Sequence, residues 1–301
     1  VCGISGCFGK RDEVTINKML DALTKRGPDD RGVYAYGDMV LGHTRLSIVD
    51  VKKGHQPILA KAGRAGVICN GEIYNFMSLR NQIGPGASFK TGSDSEVVLH
   101  MYLKEGPDFV KKLDGMFAFV VFDGDDFMLA RDPVGIKPLY YGYSKGAMYV
   151  SSELGAMSLA DVSEVYEFPA GHYYTPKEGF KRYYSTPPVH DFILTEVEEA
   201  SSLIRQTFKA AVKKRLLADK EIAVGSFCSG GLDSSLVAAI AAEEIPHLHT
   251  FAVGMKDKDG NESDDLPASR VAARHIGSTH HELIFSEDDY YRALPGVIHV
   301  L

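Results

Sequence analysis

The sequence predicts two units of different class, an α+β unit followed by an α/β unit. Three observations carry that expectation. Runs of β-branched and aromatic residues of strand length, separated by Gly-rich turns, fill the first 185 positions. A Pro187-Pro188 pair then interrupts the chain. Beyond it, strand and helix patterns alternate, which calls for a parallel sheet with helices over its faces.

Taken in order, Asp12–Thr24 places Val14, Met19, Leu20 and Leu23 near helical spacing. Strands are expected at Val40–Gly42, Gly66–Cys69, Met116–Asp123, Asp126–Ala130, Leu139–Tyr143 and Ala147–Ser151. Ser95–Lys104 carries Val98, Leu99, Met101 and Tyr102 at helical positions, with Asp94 where an N-cap would stand. Gly171–Tyr174 and Arg182–Tyr184 are two further short strands. Ser185–Asp191 is the expected linker, because neither proline continues a helix or an inner strand. After it come a long amphipathic helix (Glu196–Leu217), a strand (Glu221–Phe227), a helix (Leu232–Glu243), a strand (His249–Val253), a helix (Leu266–Ile276) and a strand (His280–Ile284). A helical or irregular stretch begins at Glu287.

Composition narrows the class. The 301 residues carry 33 Lys+Arg against 40 Asp+Glu, a net charge of −7, with 45% hydrophobic and 24% charged residues. These values exclude disorder over most of the chain. At about 150 residues per domain, two domains are expected. No apolar run nears the roughly 18 residues of a membrane span, and the best, such as Phe117–Phe122, are strand-sized. No basic, apolar leader is present, which reads against a secretory signal. The mild acidity, with no basic block, reads against nucleic acid as the main partner, and the short apolar runs read against a membrane. Four cysteines (Cys2, Cys7, Cys69, Cys228) form no CxxC pair and are too few for a disulfide scaffold, so a reducing, cytoplasmic location is expected.

Cys2 differs from the other three by position. As a first residue it has its own α-amine within reach of its sulfur. An amine pKa of about 7.7–8.0 and a thiol pKa of about 8.5 make proton exchange between them nearly balanced, a known route to an active nucleophile. Val1 stands in the way, since an acylated Cys2 nitrogen has no basic lone pair. A GTG start codon written as valine, translated as methionine and removed, would leave Cys2 first.

Four segments follow in order: ArgGlyProAsp at 26–29, HisThrArgLeuSerIleValAsp at 43–50, CysAsnGlyGluIleTyrAsn at 69–75 and ThrGlySerAspSerGlu at 91–96. Singly, each reads as a capped turn or a solvated charge. The third sets an amide, a glycine N–H and a carboxylate in a row after a strand. Together, behind Cys2-Gly3-Ile4, they resemble the glutaminase domain of class II glutamine amidotransferases over about residues 2–185. ArgAspProValGlyIleLysProLeuTyrTyr at 131–141 and SerSerGlu at 151–153 are similar to later motifs of that domain. The resemblance implies a four-layer α/β/β/α sandwich of the N-terminal-nucleophile hydrolase type. It implies Cys2 as the nucleophile, with Asn70 and Gly71 as the oxyanion donors. Arg45 would hold the α-carboxylate of glutamine, and Glu72 and Asp94 its α-ammonium, with Leu46, Ser47, Ile48 and Val49 lining the pocket.

A second constellation begins at Cys228, after the Glu221–Phe227 strand. SerGlyGlyLeuAspSerSer at 229–235 opens an Ala-rich helix, and a strand, Gly-rich turn and helix N-terminus together form an anion site. It lacks the GxxxxGK[ST] pattern and instead resembles the pyrophosphate loop of ATP pyrophosphatases. That resemblance implies ATP held by Cys228, Ser229, Gly230, Gly231, Ser234, Ser235, Val253 and Gly254, with Asp233 beside Mg²⁺ and with Val253 and the Cys228 backbone toward the adenine. AspAspLeuProAlaSerArgValAla at 264–272 and HisHisGluLeu at 280–283 also resemble this domain. The His-His-Glu run suggests a metal only until its strand setting is considered, because neighbours on a strand face opposite ways.

The two resemblances join as a glutaminase domain at 2–190 and the first part of a synthetase domain at 191–301, the architecture of the glutamine-hydrolysing asparagine synthetases. That architecture implies glutamine, aspartate and ATP as substrates, a tunnel carrying ammonia between two sites, and is compatible with a homodimer. The resembled synthetase domain continues past the point matching 294–301, so a fragment or a truncated product with exposed sheet and helix faces is expected here. Two alternatives stand beside it: another amidotransferase of the same architecture, or a glutaminase or binding protein without synthetase activity.

Overall fold

The computed structural model describes residues 2–186 and 196–300, with side chains through 298. The described residues fall into two compact units on either side of 187–195. The expected linker 185–191 lies mostly outside the described residues.

The first unit runs β1 (Gly3–Phe8), α1 (Glu13–Ala22), β2 (Asp30–Tyr36), β3 (Met39–Arg45), β4 (Ile58–Ala60), β5 (Ala65–Ile73), α2 (Phe76–Ile83), α3 (Glu96–Glu105), β6 (Gly115–Asp123), β7 (Asp126–Arg131), β8 (Tyr140–Ser144), β9 (Ala147–Ser151), α4 (Leu154–Met157), β10 (Val165–Glu167), β11 (His172–Thr175) and β12 (Gly179–Arg182). Its strands form two six-stranded antiparallel sheets, ordered β10-β8-β9-β1-β3-β2 and β12-β11-β7-β6-β5-β4.

Side-chain alternation sorts the apolar residues into three cores. Ile4, Phe8, Leu41 and Val150 of the first sheet bury against Ile68, Ala118, Val120 and Phe122 of the second. On the outer face of the first sheet, Cys7, Val40 and Tyr149 pack on Ile16, Met19 and Leu20 of α1 and on Ala156 and Met157 of α4. On the outer face of the second, Phe117, Phe119 and Val121 meet Leu79 of α2 and Val97, Val98 and Met101 of α3. The result is a four-layer α/β/β/α sandwich. It explains the unbroken apolar run Phe117–Phe122: both faces of β6 are covered, so no polar alternation is needed. A Cβ on Gly42 would meet Ile16 and Leu20 at 2.8–2.9 Å, so its absence lets α1 lie close to the sheet.

The second unit comprises α5 (Val197–Lys213), β13 (Gly225–Phe227), α6 (Leu232–Glu244), β14 (His249–Met255), α7 (Asp265–Ile276), β15 (Thr279–Phe285) and α8 (Glu287–Val300). Its three strands are parallel, in the order β13-β14-β15. Val212, Cys228, Ala238, Ile240, Ala241 and Leu248 form its core. On the sheet, Ser226, Thr250 and Ala252 are buried, whereas Phe227, Phe251, Val253 and Leu283 on the alternate positions are exposed.

Several expected boundaries move. The strand expected at Glu221–Phe227 is formed only from Gly225, and the helix expected at Glu196–Leu217 ends at Lys213. The last hairpin strand is Gly179–Arg182 rather than Arg182–Tyr184; the N–H groups of Tyr183 and Tyr184 instead turn onto the Gly171 carbonyl. Asn70, Gly71 and Glu72 lie within β5, not after it.

Candidate active site

The site is built where β1, β3 and β5 end. Cys2 heads β1, which is the strand between β3 and β9. The Cys2 carbonyl accepts from Arg26 Nε (2.9 Å), and Arg26 is itself paired with Glu153 (3.1 Å). Thus the ArgGlyProAsp and SerSerGlu segments converge on the backbone of the candidate nucleophile, and Ser152 Oγ accepts from Ile4 N–H (2.9 Å). Gly27 is required by closeness: a Cβ there would sit 2.3 Å from the backbone nitrogen of Arg45.

One cavity of about 210 Å³ brings together Cys2, Arg45, Leu46, Ile48, Val49, Asn70, Gly71, Glu72 and Asp94. Cys2 Sγ accepts from the Leu46 N–H (3.4 Å) and approaches the Leu46 carbonyl (3.6 Å). Burial pushes the Cys2 thiol pKa above its ordinary value, so the resting group is a thiol that needs a proton acceptor. Ser47 is the one residue expected here that does not line the cavity; its N–H is spent on Asp29 Oδ2 (2.8 Å).

Arg45 ends β3 and is buried. Its guanidinium donates to the carbonyls of Val49 (2.9 Å), Asp50 (2.8 Å) and Val51 (3.2 Å). Among the described residues no carboxylate oxygen comes within ion-pair distance of it, so its charge is oriented by neutral groups and open to an anion. Asp94 is not the N-cap of α3. Ser95 takes that position without a side-chain bond, while Asp94 Oδ2 accepts from Ile73 N–H (2.8 Å). Burial raises the Asp94 pKa, and a cation arriving beside it would favour its ionised form.

Asn70 is fully buried, and both polar atoms of its carboxamide lack a hydrogen-bond partner. Leaving a buried polar group unpaired costs about 1–3 kcal/mol, so such a group is held for something other than stability. The N–H groups of Cys69 and Ile73 both leave the same edge of β5, toward Gln56 Oε1 (2.7 Å) and Asp94 Oδ2. The two-residue period of a strand sends the Gly71 N–H to that edge as well. A Cβ at Gly71 would meet the Met116 carbonyl oxygen at 2.3 Å, so only glycine allows β5 and β6 this approach.

Six residues of the cavity wall were not among those expected: Gln56, Cys69, Ser93, Ser95, Met116 and Lys137. Lys137 lies in the 131–141 motif, and that loop is tied by Asp132, which accepts from the N–H groups of Ile136 and Lys137 at 2.9 Å each. Its sequence signal was the motif itself. Gln56 had no signal except the proline that follows it.

In the second unit the 229–235 loop links β13 to α6. Cys228 is buried and its N–H donates to the Phe251 carbonyl (2.8 Å). Ser229 N–H and Oγ both meet Ser234 Oγ (3.2 and 3.1 Å), and Ser235 Oγ is buried without a partner. Gly230 has φ +87°, and a Cβ there would lie 2.4 Å from the backbone of Ala268 on α7. Gly231 caps α6 in extended conformation, with Asp233 exposed in the first turn. Val253 and Gly254 line a hollow with Tyr290 and Tyr291, which residues 229–235 do not line. Among the described residues no three metal-ligating side chains gather: His280 and Glu282 are 3.5 Å apart, and His281 lies on the opposite strand face. His280 bonds Thr250 and Ser269, Glu282 takes Arg270, and His281 stacks on Phe251.

Comparison with known proteins agrees with the first-unit geometry: the glutamine amidotransferase domain family matches residues 1–185. The chain belongs to this family. The asparagine synthase family matches residues 203–301 of the same chain. It is 39% identical, over 99% of its length, to glutamine-hydrolysing asparagine synthetase 3 of Arabidopsis thaliana, and 38% identical to asparagine synthetase B of Escherichia coli K12. It covers 53% and 57% of those two proteins, so the chain spans about half the length of the curated relatives it matches. Among solved structures, the chain shares its fold with the glutamine phosphoribosylpyrophosphate amidotransferase of B. subtilis (TM-score 0.56, 17% identity, 94% of this chain and 90% of that one). Among the described residues no helix is long and apolar enough to cross a membrane.

Proposed function

We propose that the first unit hydrolyses glutamine at Cys2. We further propose that the chain serves a glutamine-dependent asparagine synthetase, in which the released ammonia amidates aspartate activated by ATP. The observation that carries the reading is the buried, unpartnered Asn70 carboxamide in the cavity that Cys2 shares with Arg45 and Asp94.

Glutamine would enter with its α-carboxylate on Arg45 and its α-ammonium on Asp94 and Glu72. With Val1 absent, the Cys2 α-amine takes the thiol proton, and the sulfur attacks the side-chain amide carbon. The oxyanion then falls between the Asn70 carboxamide and the Gly71 N–H. Ammonia leaves with the proton that Cys2 gave up, and water hydrolyses the thioester to glutamate. Each oxyanion donor is worth roughly 2.7–4 kcal/mol. In the second unit, the Ser229–Ser235 loop at the α6 N-terminus would take the ATP phosphates, with Ser235 Oγ as a waiting donor. Asp233, standing alone, suits the Mg²⁺ that travels with a nucleotide rather than a resident metal.

Ammonia release from glutamine tests the first step, and Cys2→Ala is expected to abolish it. Pyrophosphate release from ATP that depends on aspartate tests the second. Ammonia release without it would favour a glutaminase alone, and dependence on another acid would favour another amidotransferase of this architecture. A mass spectrum showing Val1 retained on the active protein would sink the N-terminal mechanism.

A further inference from the structure

We propose that Gln56 is a positioning residue for the oxyanion donors, its carboxamide standing in for a missing stretch of β4 and fixing the peptide from which Asn70 and Gly71 project. This inference rests on the glutaminase reading of Cys2 and names a further residue of that site.

The ladder between β4 and β5 pairs Ile58 with Val67, Leu59 with Gly66 and Ala60 with Ala65. The same register, extended, brings Gln56 opposite Cys69. A main-chain ladder cannot continue there, because Pro57 has no N–H. The Gln56 backbone is also committed elsewhere: its carbonyl oxygen lies against β2, only 1.9 Å from where a Cβ on Gly32 would be. The side chain takes over the pairing. Gln56 Oε1 accepts from Cys69 N–H (2.7 Å), and Gln56 Nε2 donates to the Cys69 carbonyl (3.3 Å). A carboxamide offers one acceptor and one set of donors, the pair that a strand neighbour would offer.

The Cys69 carbonyl takes a second donor, His43 Nε2 (3.1 Å). That carbonyl belongs to the peptide whose nitrogen is Asn70's. Gln56, His43 and Cys69 are all buried, so no water substitutes for these bonds. The peptide plane before Asn70 is therefore held by two side chains, one from β3 and one from the segment that precedes β4. With that plane held, the Asn70 side chain keeps its place without any partner of its own, and the Gly71 N–H keeps its aim. Of the proposed anchors for glutamine, Arg45 ends β3 and Asp94 precedes α3, whereas the carboxamide of Gln56 is bonded to Cys69 of β5.

The test is Gln56→Met, which keeps the length and apolar packing and removes both bonds. The expected result is a kcat for ammonia release about 10²-fold lower, as for misplacement of a catalytic group by about 1 Å, with the glutamine KM within about threefold. Amide hydrogen exchange at Cys69–Gly71 should also accelerate. An unchanged kcat, a raised KM with kcat intact, or unchanged exchange would each overturn the proposal. Should Gln56→Met fail to fold, His43→Phe removes the other donor, and the same split of kcat from KM is expected, smaller in size. A parent chain that releases no ammonia would overturn the glutaminase reading instead, and the exchange comparison would then decide the Gln56 role by itself.

Discussion

His43 gives a stability prediction with a defined sign. It is fully buried in β3, its Nε2 bonded to the Cys69 carbonyl and its Nδ1 without a partner. Burial disfavours the imidazolium and lowers the pKa from 6.5 to about 4. The unfolded chain therefore binds a proton at this ring before the folded chain does. Stability from His43 is complete above about pH 6.5 and is lost as pH falls toward 4. By about pH 4.5 the loss is about 2–3 kcal/mol, from the ratio of the two proton-binding polynomials at that pH. His43→Gln keeps a donor and removes the titration. Because the chain has two units, a unit-specific probe is needed, and native-state hydrogen exchange of β6 amides, which lie in the first unit, supplies one. Between about pH 7 and about pH 4.5, the parent protein should lose about 2–3 kcal/mol more protection energy than His43→Gln. Any general packing cost of the substitution cancels, since each protein is compared with itself. Equal losses in the two proteins would refute the reasoning, as would an imidazole that titrates near 6.5 by NMR.

Asn70→Ala should lower kcat for ammonia release about 10²–10³-fold in steady-state kinetics with little change in KM, because the donor acts on the oxyanion and not on bound glutamine. Arg45→Lys should raise the glutamine KM at least tenfold, measured in the same assay, since a point charge cannot keep both the loop carbonyls and a bidentate carboxylate. Asp94 runs opposite to His43: its raised pKa means the folded chain holds the proton longer, so its contribution is greatest at low pH and is lost as pH rises through the folded pKa. Asp94→Asn should thus leave thermal stability at neutral pH equal or higher while glutamine binding, followed by calorimetry, weakens at least tenfold.

The second sheet and the parallel unit were legible because their residues repeat: Phe117–Phe122 and His249–Val253 are strands by composition alone. β1 was not, because Gly3-Ile4-Ser5-Gly6-Cys7 has two glycines and a serine where a strand former is expected. Those small residues are what the interior demands; a Cβ on Gly6 would already meet Val150, Phe8 and Leu41 at 3.1–3.3 Å. The site residues were readable only through their family resemblance. Their physical partners were not readable, since Gln56 and His43 act on Cys69 from 13 and 26 positions away. Asp94 shows the same limit. As a local signal it reads as a helix cap, whereas the fold uses it to hold the N–H of Ile73, 21 residues earlier.

β1 also explains how the proposed nucleophile is held in place. Here every residue from Gly3 to Phe8 is buried, and the strand is paired on both edges, with β3 and with β9. Arg26 then fixes the Cys2 carbonyl, and the Leu46 N–H meets the sulfur from the loop that also carries the Arg45 carbonyl contacts. The sulfur and the candidate carboxylate anchor are therefore set by one turn of chain, 44–51. A change in that turn should shift nucleophile and substrate together, which keeps their relative geometry less sensitive to the mobility of either. Loosening Arg26 should do the opposite: Arg26→Ala frees the Cys2 backbone while leaving Arg45 in place, so kcat should fall with the glutamine KM unchanged. A rise in KM as large as the fall in kcat would show that the two anchors are not separable in this way.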